Sequence, residues 1–379
     1  MLENLVYFDN AATTRTDTKV LEAMLPYLGA SYGNASAKYS IGFEARKAVN
    51  TAREQVAALI GAYPDEIYFT SGATESNNIA LRHQEGALIT SEAEHPSVLN
   101  TARYCQSKGR AAAYIKPDMS GRIGADNLKK AFEGTAAGRT GMGLVSLMYV
   151  NNELGNVYPI SELADTAHMH GWIFHTDAVQ ALGHMEIDVK KSGIDMLSAS
   201  AHKLYGPKGI GLLYVRRGIK KEGLLKGGSQ ERGMRPGTEN AAGIAGFGKA
   251  CEIAKESMKE NAVREKEIAG FLKEYILKNI PDSVQNGEGE RILNFSFRGI
   301  NGTSLALRLD MEGICVSTGS ACSLGTEEIS HVLRSIGLDE TLAEGSLRIS
   351  IGKYNTLDEA EYAAKKISEL VSELRALTV

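Results

Sequence analysis

Short apolar runs alternate with longer segments of helical periodicity along the chain up to about residue 215. Strand-like runs lie at residues 5–8, 66–70, 87–90, 144–150, 172–175, 195–197 and 210–215. Helical segments are expected at 39–60, just after 72, from about 97, and at 159–170. This alternation predicts a large α/β domain in which helices flank a mostly parallel sheet.

The remainder of the chain has a different pattern. A long helical region over 240–280 is followed by a strand at 292–297, a helix at 303–311 and a strand at 347–351. The last helix begins at Thr356, with Glu359 three positions on as a capping box. These elements predict a smaller α+β domain. We find no internal repeat and no low-complexity segment.

Composition and charge exclude several classes of protein. The 379 residues are 43% hydrophobic and 23% charged, with a formal net charge of −4 and no basic stripe that would indicate nucleic-acid binding. No apolar run approaches the roughly 18 residues of a membrane span, and the N-terminus lacks a signal-peptide pattern. The four cysteines have no metal-site spacing, so we expect a cytoplasmic protein. They are Cys105, Cys251, Cys315 and Cys322.

Polar residues recur just after the predicted strands. They are Thr74, His95, Asn152, Asp177 and Lys203. Because the carboxyl ends of parallel strands meet at one edge of a sheet, we expect a single pocket there. The turn at 72–74, which opens a helix, could bind an anion or could be an ordinary helix cap.

Lys203 has the position expected of a lysine that forms a Schiff base with an aldehyde cofactor such as pyridoxal phosphate. Asp177 would then pair with the pyridine nitrogen, and His95 would stack on the ring. The phosphate would lie at the Ala73–Thr74 turn, with Ser200 and His202. Asn152 and Gln180 are candidates for the ring oxygen.

Two further residues would complete an amino-acid site. Arg348 offers a planar fork for a substrate carboxylate. Cys322 lies in a Ser/Gly-rich loop, where an accessible thiolate could act as a nucleophile or simply be an idle surface thiol. Cys315, in an apolar stretch, is expected to be an ordinary buried thiol.

With these residues assembled, the chain resembles the cysteine desulfurases, class V members of the fold-type I pyridoxal-phosphate enzymes. The resemblance runs essentially end to end. Its motifs, in chain order, lie at residues 7–14, 70–78, 94–95, 151–155, 175–180, 200–203, 228–240, 320–322 and 348–350.

The resemblance implies that L-cysteine is converted to L-alanine. Lys203 would carry the cofactor and move the substrate α-proton, with His95 assisting, while Cys322 would take the sulfur as a persulfide. An acceptor protein, either an iron–sulfur scaffold or a tRNA-thiolation enzyme, would receive that sulfur. The resemblance also implies a homodimer in which Thr238 reaches the phosphate of the other subunit. It implies a large domain at 15–255 and a small domain formed by 1–14 and 256–379.

The chain departs from the family pattern at two places. Ala35 and Tyr39 stand where a proline and a histidine are common, so Asn34 is the one residue there that we assign to substrate binding. Ile329 replaces a common proline after the Cys322 loop, which otherwise resembles the longer form in the family.

Three alternatives remain at the level of sequence. A metal hydrolase could use a histidine-rich cluster, although the cysteine-desulfurase interpretation predicts no metal. A catalytically dead scaffold could keep the fold alone, and selenocysteine lyase is the nearest competitor within the family. The candidate cluster comprises His168, His170, His175, Asp177 and His184.

Overall fold

The computed structural model describes residues 5–83, 86–134, 143–220, 222–318 and 329–377. Its strands are β1 (Val6–Tyr7), β2 (Ile67–Thr70), β3 (Ala87–Ser91), β4 (Ala112–Ile115), β5 (Gly143–Ser146), β6 (Ile173–Asp177), β7 (Met196–Ser200), β8 (Gly211–Val215), β9 (Ser283–Asn286), β10 (Ile292–Phe297), β11 (Ile314–Cys315) and β12 (Ser346–Ser350).

The helices cover both faces of the largest sheet and join the two parts of the chain. They are α1 (Thr18–Leu28), α2 (Ser40–Ile60), α3 (Ala73–His83), α4 (Pro96–Ser107), α5 (Ala125–Gly134), α6 (Ile160–Met169), α7 (Ala241–Asn279), α8 (Gly302–Met311), α9 (His331–Ser335), α10 (Glu340–Ala343) and α11 (Leu357–Leu377). In the described ranges, we find no helix with the length and apolar character needed to cross a bilayer.

A seven-stranded sheet has the order β2-β8-β7-β6-β5-β3-β4. Only the pairings made by β8 are antiparallel, and the other neighbouring strands in it run parallel. The prediction of a mostly parallel sheet is therefore confirmed. β8 runs antiparallel to β7 because the connection over residues 201–210 is too short for a crossover helix and returns the chain beside β7. Gly209 in this connection adopts the left-handed region at φ 77°.

The central strands are buried along their whole length, as expected for a sheet covered on both faces. The strand expected at 144–150 ends at Ser146, but its extension still follows β6. Leu147 N donates to His175 O at 3.1 Å, and Tyr149 N donates to Asp177 O at 2.9 Å. This extension brings Asn152 to the same edge as the end of β6.

A smaller unit contains the antiparallel sheet β12-β10-β9 and the parallel pair β1-β11. Apolar residues of β1, β10, β12, α8 and α11 form its core, including Phe295, Leu305 and Ile367. The capping box predicted for α11 is present: Glu359 N donates to Thr356 Oγ1 at 3.2 Å, and Thr356 N donates to Glu359 Oε2 at 3.1 Å. The smaller α+β unit is therefore confirmed.

The 39-residue helix α7 joins the two units. Its first half packs into the core of the sheet through Ile244 and Phe247, and its second half packs into the smaller core through Ile268 and Leu272. This distribution supports the proposed division into 15–255 and 1–14 plus 256–379, whose boundaries stay predictions.

Candidate active site

A cavity of about 820 Å³ opens at the carboxyl edge of the large sheet, where the smaller unit meets it. The strand-end residues singled out in the sequence line this one cavity. Together with their neighbours and one residue of the smaller unit, the lining includes Ala73, Thr74, His95, Asn152, Asp177, Gln180, Ser200, His202, Lys203 and Arg348.

Lys203 closes the 3-10 turn Ala201–Lys203 that directly follows β7. Its Nζ donates hydrogen bonds to the carbonyl oxygens of Ala11 and, at 2.7 Å, of Ala12. The backbone carbonyl of Lys203 is in turn 2.9 Å from Nε2 of His184. The amine is half-buried in the lining of the cavity, and the two carbonyl oxygens help to orient it there.

Asp177 is the last residue of β6 and only 6% exposed. Its Oδ2 accepts from Nδ2 of Asn77 at 2.7 Å, and its Oδ1 accepts from the Val179 backbone N–H at 3.0 Å. Asn77, on α3, also donates to Ser97 Oγ at 2.9 Å. Sequence reasoning missed Asn77, although it lies in the same helix-opening motif as Thr74 and is buried against the sheet.

His95 caps the N-terminus of α4. Its Nδ1 accepts from the Ser97 backbone N–H at 3.1 Å, so a neutral ring carries its proton on Nε2. Burial lowers the pKa of His95, and the nearby Lys203 ammonium lowers it further, while Asp177 acts in the opposite direction. A neutral imidazole at this wall of the cavity can give or take a proton.

The start of α3 supplies free backbone N–H groups and the positive end of the helix dipole at Ala73 and Thr74. A Cβ added at Gly72 would meet its nearest atom, Ser200 Oγ, only at 3.9 Å, so space remains between the turn and β7. His202 lies 3.1 Å from Thr13 Oγ1 through Nδ1, and burial lowers the pKa of His202 to about 4. At neutral pH it contributes a neutral imidazole.

Arg348 enters the cavity from β12 and is 5% exposed. Its Nη2 binds Oδ1 of Asp9 at 2.8 Å, and its Nη1 donates to the Asn152 carbonyl at 3.0 Å. Its Nε is buried and has no hydrogen-bond partner among the described residues. A buried donor without a partner is costly, so this edge of the guanidinium suits a carboxylate ligand.

Three predicted residues are not placed in the cavity. Asn34 is exposed in the turn before α2, where its Oδ1 accepts from Ser36 N at 2.8 Å. Thr238 is exposed and lines a separate cavity of about 260 Å³, which shares Ser71 and Gly209 with the main one. Cys322 lies outside the described residues.

Cys315 differs from its expectation. It lies at the end of the short strand β11 and is half-buried rather than buried, with Sγ 4.0 Å from Oδ1 of Asp310. Burial raises the pKa of this thiol, and the neighbouring carboxylates Asp310 and Asp9 add to the effect. The apolar flanks predicted a buried thiol, but Cys315 lies at the end of a two-residue strand in a two-stranded sheet, where it is only partly covered.

The histidine cluster of the metal-hydrolase alternative does not form. His168 binds Asp195 at 2.8 Å, whereas His175 lies between the hydroxyls of Ser146 and Ser198. In the parts of the chain that the structure describes, no group of three His, Cys, Asp or Glu side chains is arranged to hold a metal ion.

The residues present fit a pyridoxal-phosphate group. Asn152 Oδ1 is buried without a partner among the described side chains, and rotation of the amide would offer its nitrogen as a donor instead. The cavity also combines an amine, a buried carboxylate, a neutral imidazole and a helix N-terminus. These are the donors and acceptors that a phosphorylated, electron-withdrawing aldehyde requires.

Comparison with known proteins agrees with this chemistry. The model of the family described as "Aminotransferase class-V" matches residues 6–362. The chain belongs to the class-V aminotransferase family. Sequence reasoning had identified this family from its motifs, and that prediction is confirmed.

Within the family, named relatives resemble the chain over nearly its full length. A cysteine desulfurase of Trichormus azollae is 43% identical over 385 aligned positions, which cover 99% of this chain and 95% of the relative. A solved structure described as a NifS-like protein has a TM-score of 0.89 at 36% identity, with 98% of this chain and 100% of that chain covered. The structure of SspA in complex with cysteine has a TM-score of 0.78 at 36% identity, with 93% and 100% covered.

Proposed function

We infer that the protein is a cysteine desulfurase, which converts L-cysteine to L-alanine. The C–S bond of the substrate is broken, and the sulfur passes to a cysteine of the enzyme as a persulfide and then to an acceptor protein. The observation that carries this function is the single cavity that holds Lys203, Asp177 and Arg348. The relative from Trichormus azollae is named a cysteine desulfurase, so selenocysteine lyase is not favoured.

We propose that pyridoxal phosphate is the resident cofactor, as in this family. When bound, it supplies an electron sink that makes the Cα–H and Cβ–S bonds of the substrate easier to break. Ala73, Thr74, Ser200 and His202 would hold its phosphate. Asn152 and Gln180 would hold its ring oxygen, and Asp177 would hold its ring nitrogen.

Lys203 is assigned the covalent attachment and the movement of the substrate α-proton. Its ammonium is held by two carbonyl oxygens, which only accept hydrogen bonds and carry no formal charge. His95, with its proton on Nε2 and a pKa lowered by burial, is assigned to assist the proton transfer.

Arg348 is assigned to the carboxylate of L-cysteine. Its unpartnered Nε and its buried position are the supporting observations. Asp9 and the Asn152 carbonyl hold the other two nitrogens, so the free edge of the guanidinium is oriented before the substrate arrives. Such preorganisation reduces the cost of ordering this side chain on binding.

Cys322 is assigned the sulfur abstraction. The variant Cys322→Ala is expected to keep the absorption of the bound cofactor and its change on adding cysteine, but to release no alanine. Cys315→Ala is the matched control, because its thiol is half-buried on β11, and it should turn over normally. Alkylation should also find Cys322 more reactive than Cys315. Full alanine release by Cys322→Ala would refute the assignment, and loss of the cofactor band would indicate a structural role.

We also propose a homodimer. Large apolar side chains on α1 and shortly after it are exposed, including Leu25 at 63% and Tyr32 at 74%. Thr238 is exposed beside Ser71 at the mouth of the smaller cavity, where a second subunit could use it. A sedimentation measurement that finds a monomer with tightly bound cofactor would contradict the shared site.

The acceptor would be an iron–sulfur scaffold or a tRNA-thiolation enzyme, and we propose a cytoplasmic location. The described thiols Cys105, Cys251 and Cys315 are all unpaired, which suits a reducing compartment.

The test of the function is an assay of the cofactor-loaded protein with L-cysteine. Alanine should form under all conditions that regenerate the thiol, and sulfide should appear when a thiol reductant is present. A protein that binds the cofactor but forms no alanine would overturn the desulfurase function.

A further inference from the structure

Arg291 lies just before β10 and is not among the predicted site residues. It contacts Gln180, which lines the cofactor cavity. Its Nη2 donates to the Gln180 carbonyl at 2.9 Å and to Gln180 Oε1 at 3.2 Å. Gln180 belongs to the segment that follows β6 in the large unit, whereas β10 belongs to the small unit. One guanidinium therefore joins the two units at a residue that lines the cavity.

The contact determines how the Gln180 amide is oriented. A guanidinium has only donors, so the amide oxygen must face Arg291 and the amide nitrogen must face away. On that other side, Gln180 Nε2 donates to the Ala11 carbonyl at 2.8 Å. The same carbonyl accepts a hydrogen bond from Nζ of Lys203. A continuous chain of hydrogen bonds thus runs from Arg291 through Gln180 and Ala11 to Lys203.

A purely structural role for Arg291 would lower the stability of the fold, because its charge is buried. Burial lowers the pKa of its guanidinium, and its Nη1 has no hydrogen-bond partner among the described residues. Its hydrogen bonds are made to neutral oxygens rather than to a carboxylate. The titratable groups near it are Glu265, whose pKa burial raises to about 7, together with Tyr205 and His184. A buried cation with such partners costs stability, so its retention at this place favours a role in the site.

We propose that Arg291 is a positioning residue for the cofactor: it fixes the Gln180 amide with its nitrogen toward the Lys203 side of the cavity. The proposal rests on the proposed function, in which Gln180 holds the ring oxygen of pyridoxal phosphate. Without Arg291, only the Ala11 carbonyl holds the amide, so its nitrogen is oriented less firmly and the donor to the ring oxygen is weakened.

The test compares Arg291→Met and Arg291→Lys with Arg122→Met. Arg122 lines the same second cavity of about 690 Å³ as Arg291, but it forms an exposed pair with Glu288, so it is a matched control. The cofactor is titrated into each apoprotein, and the absorbance of the loaded protein is followed against pH. The loss of one hydrogen bond predicts about a two- to tenfold weaker cofactor affinity in Arg291→Met. It also predicts a shift of about 0.5–1 pH unit in the spectral midpoint.

Arg291→Lys should recover part of the affinity, since it keeps a charged donor but loses the planar shape of the guanidinium. The KM for cysteine should stay close to that of the unmodified protein, because Arg348 is untouched. Combining Arg291→Met with Gln180→Ala should add little to Gln180→Ala alone. Additive effects on the spectral midpoint would overturn the proposal, as would an unchanged midpoint in Arg291→Met despite a lower melting temperature.

Two kinds of failure are distinguishable. If the unmodified protein binds no cofactor and shows no visible band, the proposed function fails. If the unmodified protein shows the band and Arg291→Met behaves like Arg122→Met, only the positioning role fails. Should Arg291→Met not fold, Arg291→Lys alone decides: a normal midpoint and normal affinity in that variant would overturn the positioning role of the Arg291 guanidinium.

Discussion

The cavity has two walls that are built on different principles. On the large unit, Asp177 and Lys203 lie at or just beyond the ends of parallel strands, so the sheet edge itself delivers them. On the small unit, Arg348 lies in the middle of the antiparallel strand β12 and Arg291 just before β10. Each of these arginines reaches across to the large unit and is held there by backbone or amide oxygens. The first wall carries chemistry, and the second orients ligands and partners.

The largest effect on activity is expected when the Lys203 amine is removed from the first wall. Lys203→Ala should lower turnover by a factor of about 100 to 10,000 or more, because general base catalysis alone contributes about that factor. The fold should persist, since Lys203 lies in a turn that lines the cavity and takes no part in either hydrophobic core. Alanine formation and circular dichroism measure the two effects, with the exposed Lys226→Ala as control. Normal desulfuration by Lys203→Ala would contradict the role assigned to Lys203.

The second wall should respond in binding rather than in cofactor chemistry. Arg348→Ala is expected to weaken cysteine binding about tenfold to a hundredfold, as for loss of a charge-assisted hydrogen bond. Cofactor affinity should change little. Cysteine titration against the cofactor absorbance measures the effect, and Arg308→Ala, from an exposed pair on α8, is the control. An unchanged cysteine affinity would move the carboxylate site elsewhere.

A smaller effect should come from the carboxylate that holds Arg348. Asp9→Asn keeps an acceptor oxygen but removes the charge beside Nη2, so the guanidinium is oriented less firmly. We expect a two- to tenfold rise in the KM for cysteine and a nearly unchanged kcat. Steady-state kinetics give both constants. Tighter cysteine binding would instead show that Asp9 competes with the substrate.

The smallest effect concerns the stability of the first wall. Burial lowers the pKa of His175 to about 3, whereas an unfolded histidine titrates near 6.5. The unfolded chain therefore takes up the proton first as the solution is acidified. The free energy of unfolding should fall below pH 6.5, by up to about 1.4 kcal/mol per pH unit for this group.

Urea denaturation at pH 7 and pH 5.5 measures that slope. His175→Gln should lose about 1 kcal/mol less than the unmodified protein over this interval, while His184, whose pKa is also lowered to about 3, keeps part of the slope. Equal slopes in the two proteins would mean that His175 takes up its proton without unfolding.

How much could be predicted also differs between the two walls. Asp177, His95 and Lys203 were recognisable because each follows a short apolar run within a few residues, and strand ends in such sheets face the site. The strand order β2-β8-β7 was not predictable in the same way. β8 is as apolar as the parallel strands of the sheet, and only the short connection before it indicates that it runs antiparallel. Asn77 was missed because its role depends on how α3 rotates against the sheet.

Several features could be predicted from the sequence alone: the alternation of strands and helices, the capping of α11, the residues at the sheet edge and the family. These features rest on patterns within short windows, where periodicity and turn chemistry act locally. Three contacts follow only from the folded structure: Arg348 pairs with Asp9, Ala11 and Ala12 hold Lys203, and Arg291 holds Gln180. Those partners are far apart in the chain, and they meet only because α7 and two separate hydrophobic cores bring the two units together.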